Sequence, residues 1–293
     1  MSLRLEMLQV ARLGPGVLGA EAADRVAAFV RSQQHPDGGF RNRAGDSDLY
    51  YTSFAVDALT ALQLELPATL ESYLLQHDPA QLDFVHASCL ARLLSAMPGQ
   101  AGHAEIAAAL ARLEDFRSLD GGYNQTPAAA TGSCYAGFLA VGAYSDHRQL
   151  PPYPEGIAEC QQALAQPGGG WANDALFAVP NVPATAAAVA VARQLRLPLP
   201  ATTAAFLLSA LHPLAGGFAP FPGAPLPDLL RTAVALHALD SLQADFGGIT
   251  DLCLDFIDTL WTAEGGFHGN WDDDVLDLEY TYYGLLALGH LAL

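Results

Sequence analysis

The chain has 293 residues, 51% of them hydrophobic and only 15% charged. That supplies a core for one large domain or two ordinary ones and excludes global disorder. A formal net charge of −18 lacks the clustered cations that displace counterions from nucleic acid or dock on anionic lipid, so neither partner is expected.

The N-terminus, Met1-Ser2-Leu3-Arg4-Leu5-Glu6, has no apolar signal-peptide core, which points to the cytoplasm. Residues 1–20 read as a lead-in, with Leu3–Arg12 a short extra helix on the closing seam. From there the chain repeats one unit: amphipathic helix, Gly-Gly-aromatic turn, apolar helix. The turns begin at Gly38, Gly121, Gly169, Gly216 and Gly265, at gaps of 83, 48, 47 and 49 residues. The wide first gap has room for one more unit without its turn, which makes six hairpins over residues 21–293.

The first helix of each unit carries a single apolar stripe. Examples are Ala22, Val26, Phe29 and Val30 in the first unit, and Ile106, Leu110 and Leu113 in the third. In the last unit the stripe is Ile249, Cys253, Phe256 and Leu260. The second helices are apolar on nearly every face: Tyr50–Leu62, Phe84–Met97, Ser133–Tyr144, Pro183–Val191, Leu229–Leu242 and Leu278–Leu291. Helices of that kind must be covered all round, so an outer ring of one-sided helices around an inner ring satisfies both patterns. Each glycine pair supplies positive φ, and its aromatic fills the space between hairpins.

The uncharged run Ala175–Ala192 approaches membrane-spanning length, but it holds Pro180, Asn181 and Pro183 and falls where the repeat needs a buried helix. Cys89, Cys134, Cys160 and Cys253 have no metal-like spacing and read as small buried side chains in a reducing compartment. No stretch reads as an interdomain linker, so residues 1–293 are taken as one domain.

The Gly-Gly-aromatic repeats, Asp48-Leu49-Tyr50-Tyr51-Thr52, Leu226-Pro227-Asp228 and Glu279-Tyr280-Thr281-Tyr282-Tyr283-Gly284 resemble the β subunits of protein prenyltransferases, especially the Rab geranylgeranyltransferase kind. More distantly they resemble squalene–hopene cyclases. The resemblance runs from about Ala20 to Leu293 and implies an all-α fold, an α/α toroid of six hairpins. It implies an isoprenoid diphosphate in an apolar funnel, zinc at its mouth, and leaves a helical α-subunit-like partner open.

The family's zinc set is Asp, a Cys two residues later and a His on the final inner helix. Here these positions hold Asp228, Leu230 and Tyr280, and one ligand of three does not hold zinc. The loop that carries the family's diphosphate-binding cations reads Phe221-Pro222-Gly223-Ala224-Pro225. The cyclases' Asp-x-Asp-Asp motif aligns with Asp228-Leu229-Leu230-Arg231 and departs at both later acids. The implied function is isoprenoid binding with zinc-independent prenyl transfer. The alternatives are a non-catalytic interaction or lipid-carrier toroid, and a proton-initiated cyclase using the acidic rim.

Carboxylates gather at the starts of several inner helices: Asp46, Asp48, Asp83, Asp228, Asp272, Asp273, Asp274, Asp277 and Glu279. Taken singly, each reads as a helix cap. Taken together, they repel, so that one has a raised pKa and acts as an acid, or they hold Mg²⁺ through oxygen ligands. The candidate catalytic residues are Asp48, Asp228, Asp277, Glu279 and Tyr280. Tyr51, Phe54, His86, Phe138, Tyr283 and Trp271 are candidate substrate contacts, the rings also suiting a carbocation. For most rings packed core is the competing reading, for His86 a satisfied core histidine, and for Trp271 a loop anchor beside a lid.

Overall fold

The computed structural model describes residues 1–97 and 103–293. Two short helices lead in, α1 (Leu3–Ala11) and α2 (Gly14–Leu18). Six outer–inner pairs follow: α3 (Ala20–Ser32) with α4 (Leu49–Ala61), α5 (Leu70–Leu74) with α6 (Phe84–Ser95), and α7 (His103–Glu114) with α8 (Cys134–Asp146). The last three are α9 (Pro154–Leu164) with α10 (Val182–Leu195), α11 (Thr203–Ser209) with α12 (Leu229–Ser241), and α13 (Thr250–Asp258) with α14 (Leu278–Leu291). Two-residue strand pairs, β1 (Phe40–Arg41) with β2 (Ser47–Asp48) and β3 (Trp171–Ala172) with β4 (Pro180–Asn181), close two of the turns.

The chain divides into two compact units, Met1–Leu5 with Ala68–Thr203 and Glu6–Pro67 with Ala204–Leu293. In the first unit α8 packs between α6 and α10. In the second α14 packs between α12 and α4, so the last hairpin rests on the first. The lead-in meets this seam: a Cβ on Gly14 would lie 2.4 Å from the Leu285 carbonyl oxygen, and one on Gly289 would lie 2.1 Å from that of Val10. Only glycine permits backbones to approach so closely.

The repeat has a local cause. Phe40, Tyr123, Trp171, Phe218 and Phe267, the aromatics of the turns, are all buried. Each pairs across the loop with the residue that caps the following inner helix: Asp48, Ser133, Asn181, Asp228 and Asp277. Four residues past the cap, Thr52, Thr185 and Thr232 each accept the N–H of the turn aromatic at 2.9 Å. The cap and the threonine thus satisfy polar groups that the buried ring carries inward with it. The second hairpin, without a Gly-Gly turn, uses a 3₁₀ turn at Pro79–Gln81 and Asp83 as its cap.

The run Ala175–Ala192 becomes an exposed loop and most of α10. Among the described residues no helix is long and apolar enough to cross a membrane. All four cysteines are buried and free, with burial raising the thiols of Cys134, Cys160 and Cys253.

Candidate active site at the heads of three inner helices

The second unit brings together the N-termini of α4, α12 and α14, and the carboxylate just before each of these helices caps it. Asp48 accepts the Tyr51 N–H at 3.0 Å, Asp228 that of Arg231 at 2.7 Å and Asp277 that of Tyr280 at 2.8 Å. Such caps stabilise a helix by about 1 kcal/mol each. Asp228 is also paired with the Arg231 guanidinium and is nearly inaccessible. Asp46, Asp272 and Asp274 face solvent.

Arg43 organises the site, and the sequence reading passed over it. It sits on the turn between β1 and β2, where its Nε donates to Asp277 at 2.7 Å and its NH2 to Asp273 at 2.7 Å. Its guanidinium lies 5.6 Å from the centre of the Tyr280 ring. One arginine thereby ties the loops of the first and last hairpins to the head of α14. Its signal in the sequence was a cation three residues before Asp46 in a chain with only 13 basic residues.

Glu279 is the carboxyl that departs furthest from ordinary behaviour. Burial, with Asp277 nearby, pushes it up to about 7, against the opposing effects of Tyr50 and Arg43. The Tyr50 hydroxyl donates to its Oε1 at 2.7 Å. Burial also raises Asp277, although Arg43 and the Tyr280 N–H pull the other way. Asp273 lies below its usual range, burial being outweighed by the Arg43 hydrogen bond and charge. Tyr51 is pushed up to about 12 by burial and by Asp277 and Glu279. Tyr280 is raised by burial and the same two acids, and its ring covers Gly269 in the preceding loop.

Beyond Glu279 runs a set of rings on α4 and α14. Tyr50 meets Phe54 edge-on at 4.9 Å, Phe54 lies 5.5 Å from Tyr283 and 5.9 Å from Tyr282, and Tyr51 stands edge-on to Tyr50 at 5.6 Å. Tyr50, Tyr51, Phe54 and Tyr283 keep some surface exposed, whereas Tyr282 is buried.

His86 and Phe138 belong to the first unit. There His86 Nδ1 is 2.9 Å from Asp83 at the head of α6, and Phe138 packs on the Cys134–Trp171 core cluster. Trp271 makes the contacts of a loop anchor, the alternative reading of its place in the acidic loop, and keeps about half its surface exposed. Its Nε1 donates to Thr259 at 2.9 Å and its ring stands edge-on to Phe256 at 5.5 Å. Both partners belong to the outer helix and its end.

Zinc does not fit the positions that the resemblance assigns to it. Leu230 offers no donor and Asp228 is already held by Arg231. Among the described residues no group of three or more His, Cys, Asp or Glu is arranged to hold a metal ion.

The family description "prenyltransferase alpha-alpha toroid domain" matches residues 5–145 and 185–253. The chain belongs to this toroid family. The toroid is similar in fold to a protein from Actinoplanes (TM-score 0.64, 16% identity, covering 93% of this chain and 99% of that one). It is also similar to the type II terpene cyclase MstE from Scytonema. A variant of that enzyme in complex with geranylgeranyl dihydroxybenzoate gives TM-score 0.56 at 13% identity, covering 99% of this chain and 98% of that one. Its apo form gives TM-score 0.54 at 14% identity, covering 92% and 96%. No curated protein sequence matches the toroid.

Proposed function

We propose that the toroid binds the hydrocarbon chain of an isoprenoid against Tyr50, Phe54 and Tyr283, and that Glu279 delivers the proton that starts a cyclase-type reaction. One observation carries this reading: a carboxyl held at about 7 stands beside partly exposed aromatic rings and is hydrogen-bonded to one of them. A raised pKa keeps the proton in place near neutrality, and the ring faces then favour the carbocation formed when that proton adds to an alkene. Loss of a proton from the cyclised cation closes the cycle with no net redox change. The substrate named for the Scytonema enzyme carries a geranylgeranyl chain, which supports the same class here.

Prenyl transfer from a diphosphate is less well supported. Arg43 and Arg231 are both engaged by carboxylates, so a diphosphate would meet net negative charge and need added cations such as Mg²⁺.

The test is incubation with neutral polyprenyl substrates in D₂O, with products read by mass spectrometry. One deuterium per cyclised product, lost in Glu279→Gln, is the expected result. Cyclised product without deuterium, or equal turnover by the variant, overturns the assignment of the acid. Tight binding without turnover identifies a carrier instead.

A further inference from the structure

A cation formed at Glu279 and carried along the chain by cyclisation must lose a proton at its far end, away from the acid that started it. Two histidines lie further along the same inner helices. On α14, Glu279, Tyr283, Leu286 and His290 recur at i, i+4, i+7 and i+11 and so form one stripe. These eleven residues of helix place His290 about 16 Å from Glu279 along the axis. The neighbouring inner helix α12 carries a second stripe, Leu230, Val234 and His237, and each of these keeps some surface exposed. The two stripes meet where His237 Nδ1 lies 3.1 Å from His290 Nε2.

Asp240 decides which of these nitrogens carry protons. The Nδ1 of His290 is buried without a hydrogen-bond partner, and the Asp240 carboxylate, three residues beyond His237 on α12, stands 3.7 Å from it. A negative charge there favours an N–H over a lone pair at Nδ1. With its proton on Nδ1, His290 offers an acceptor at Nε2, so the 3.1 Å bond is donated by His237 Nδ1. His237 then holds its lone pair on Nε2, the nitrogen of a base. Burial, with His237, lowers His290 to about 2, so it stays neutral and keeps its part as acceptor. The His290 side chain has no exposed surface, and only His237 of the pair can meet a ligand.

We propose, as a step that rests on the cyclase chemistry assigned to Glu279, that His237 is the base that ends the reaction. Its Nε2 takes a proton from the carbon next to the cationic centre, and the electrons of that C–H bond become the new double bond. His290 accepts the Nδ1–H of the imidazolium, and the charge of Asp240 lies beyond it. The Nε2 proton passes to water once the product leaves. His290 and Asp240 act through His237 and are positioning residues.

Long-range ¹⁵N spectra of the histidine rings in the full chain test this arrangement without any substrate. They are recorded near pH 8, above the ordinary histidine value of about 6.5. Both rings are expected to carry their proton on Nδ1; a His237 protonated on Nε2 overturns the base. Asp240→Asn should move His290 away from its Nδ1–H form, and an unmoved ring overturns the role of Asp240. The reaction is then followed with neutral polyprenyl substrates in D₂O. His237→Asn keeps an N–H for His290 and removes the base. It should still incorporate deuterium, while the ratio of alkene to water-trapped alcohol falls about a hundredfold, the low end of what a positioned base contributes. An unchanged ratio with deuterium incorporated overturns His237 alone. No cyclised product from the wild type overturns the reading of Glu279, and the base with it.

Discussion

The Tyr50 hydroxyl, on the first inner helix, donates at 2.7 Å to Glu279 Oε1 on the last. This bond stabilises the carboxylate and so works against the burial that raises Glu279 to about 7. Removing it in Tyr50→Phe moves the pKa further up. Because the acid acts while protonated, turnover in the wild type is expected to fall above about pH 7. In Tyr50→Phe the break should shift to higher pH. A pH–rate profile checks this, and an unmoved break removes Glu279 as the titrating acid.

Stability carries two opposed signatures of pH in the second unit. Between 4.5 and about 7 the folded chain keeps a proton on Glu279 that the unfolded chain has released, so this group's contribution falls as pH rises. His290 behaves oppositely. Burial, with His237 3.1 Å away, lowers it from 6.5 to about 2, so acid favours the unfolded chain below 6.5. From about 4.5 to 6.5 the slopes offset, each being at most about 1.4 kcal/mol per pH unit. Urea unfolding at pH 5 and pH 6 should show stability rising with pH in Glu279→Gln and falling in His290→Gln. Parallel behaviour of the two variants would contradict the assigned shifts.

Much of the fold was legible because its cause is local and repeats. Six predicted inner segments match six inner helices within a few residues, since each needs apolar side chains all round and a polar residue at its head. The glycine pairs were equally readable: one position in each takes positive φ, which the sequence marks without reference to any partner. The site was only half legible, for the opposite reason. Asp48, Asp228 and Asp277 look alike in the sequence and all serve as caps. What separates Glu279 from them is burial and the approach of Tyr50 across 229 residues. Arg43 was missed because its partners, Asp273 and Asp277, stand more than 200 positions away. The two readings of Trp271 stayed open because an indole in a loop has the same sequence signature whether it turns inward or back onto its own outer helix.

Arg43 holds two acids of unequal standing. Asp277 has only 4% of its side chain exposed and Asp273 has 21%. Arg43→Gln therefore strands a buried carboxylate, with an expected cost of about 1–3 kcal/mol after discounting for the partial exposure of the arginine. Asp273→Asn should cost less than about 1 kcal/mol, because its bond to Arg43 is the more exposed. Chemical denaturation of the two variants gives the comparison. Equal losses would mean that Arg43 is not anchored through Asp277.

The contact between the last turn and the first outer helix can be measured with one pair of alanines. Gly265 has φ of +93° and a Cβ there would lie 2.2 Å from the Arg25 carbonyl oxygen on α3. Gly168 has nearly the same φ, +95°, but nothing within 4 Å of a Cβ. Backbone strain is therefore common to both substitutions, at about 1–3 kcal/mol, and only Gly265→Ala adds a clash with main chain that no side-chain rotation relieves. Gly265→Ala is expected to unfold at lower urea by a margin worth at least about 1–2 kcal/mol beyond Gly168→Ala. Equal midpoints would show that the last Gly-Gly turn does not seat on the first hairpin in solution.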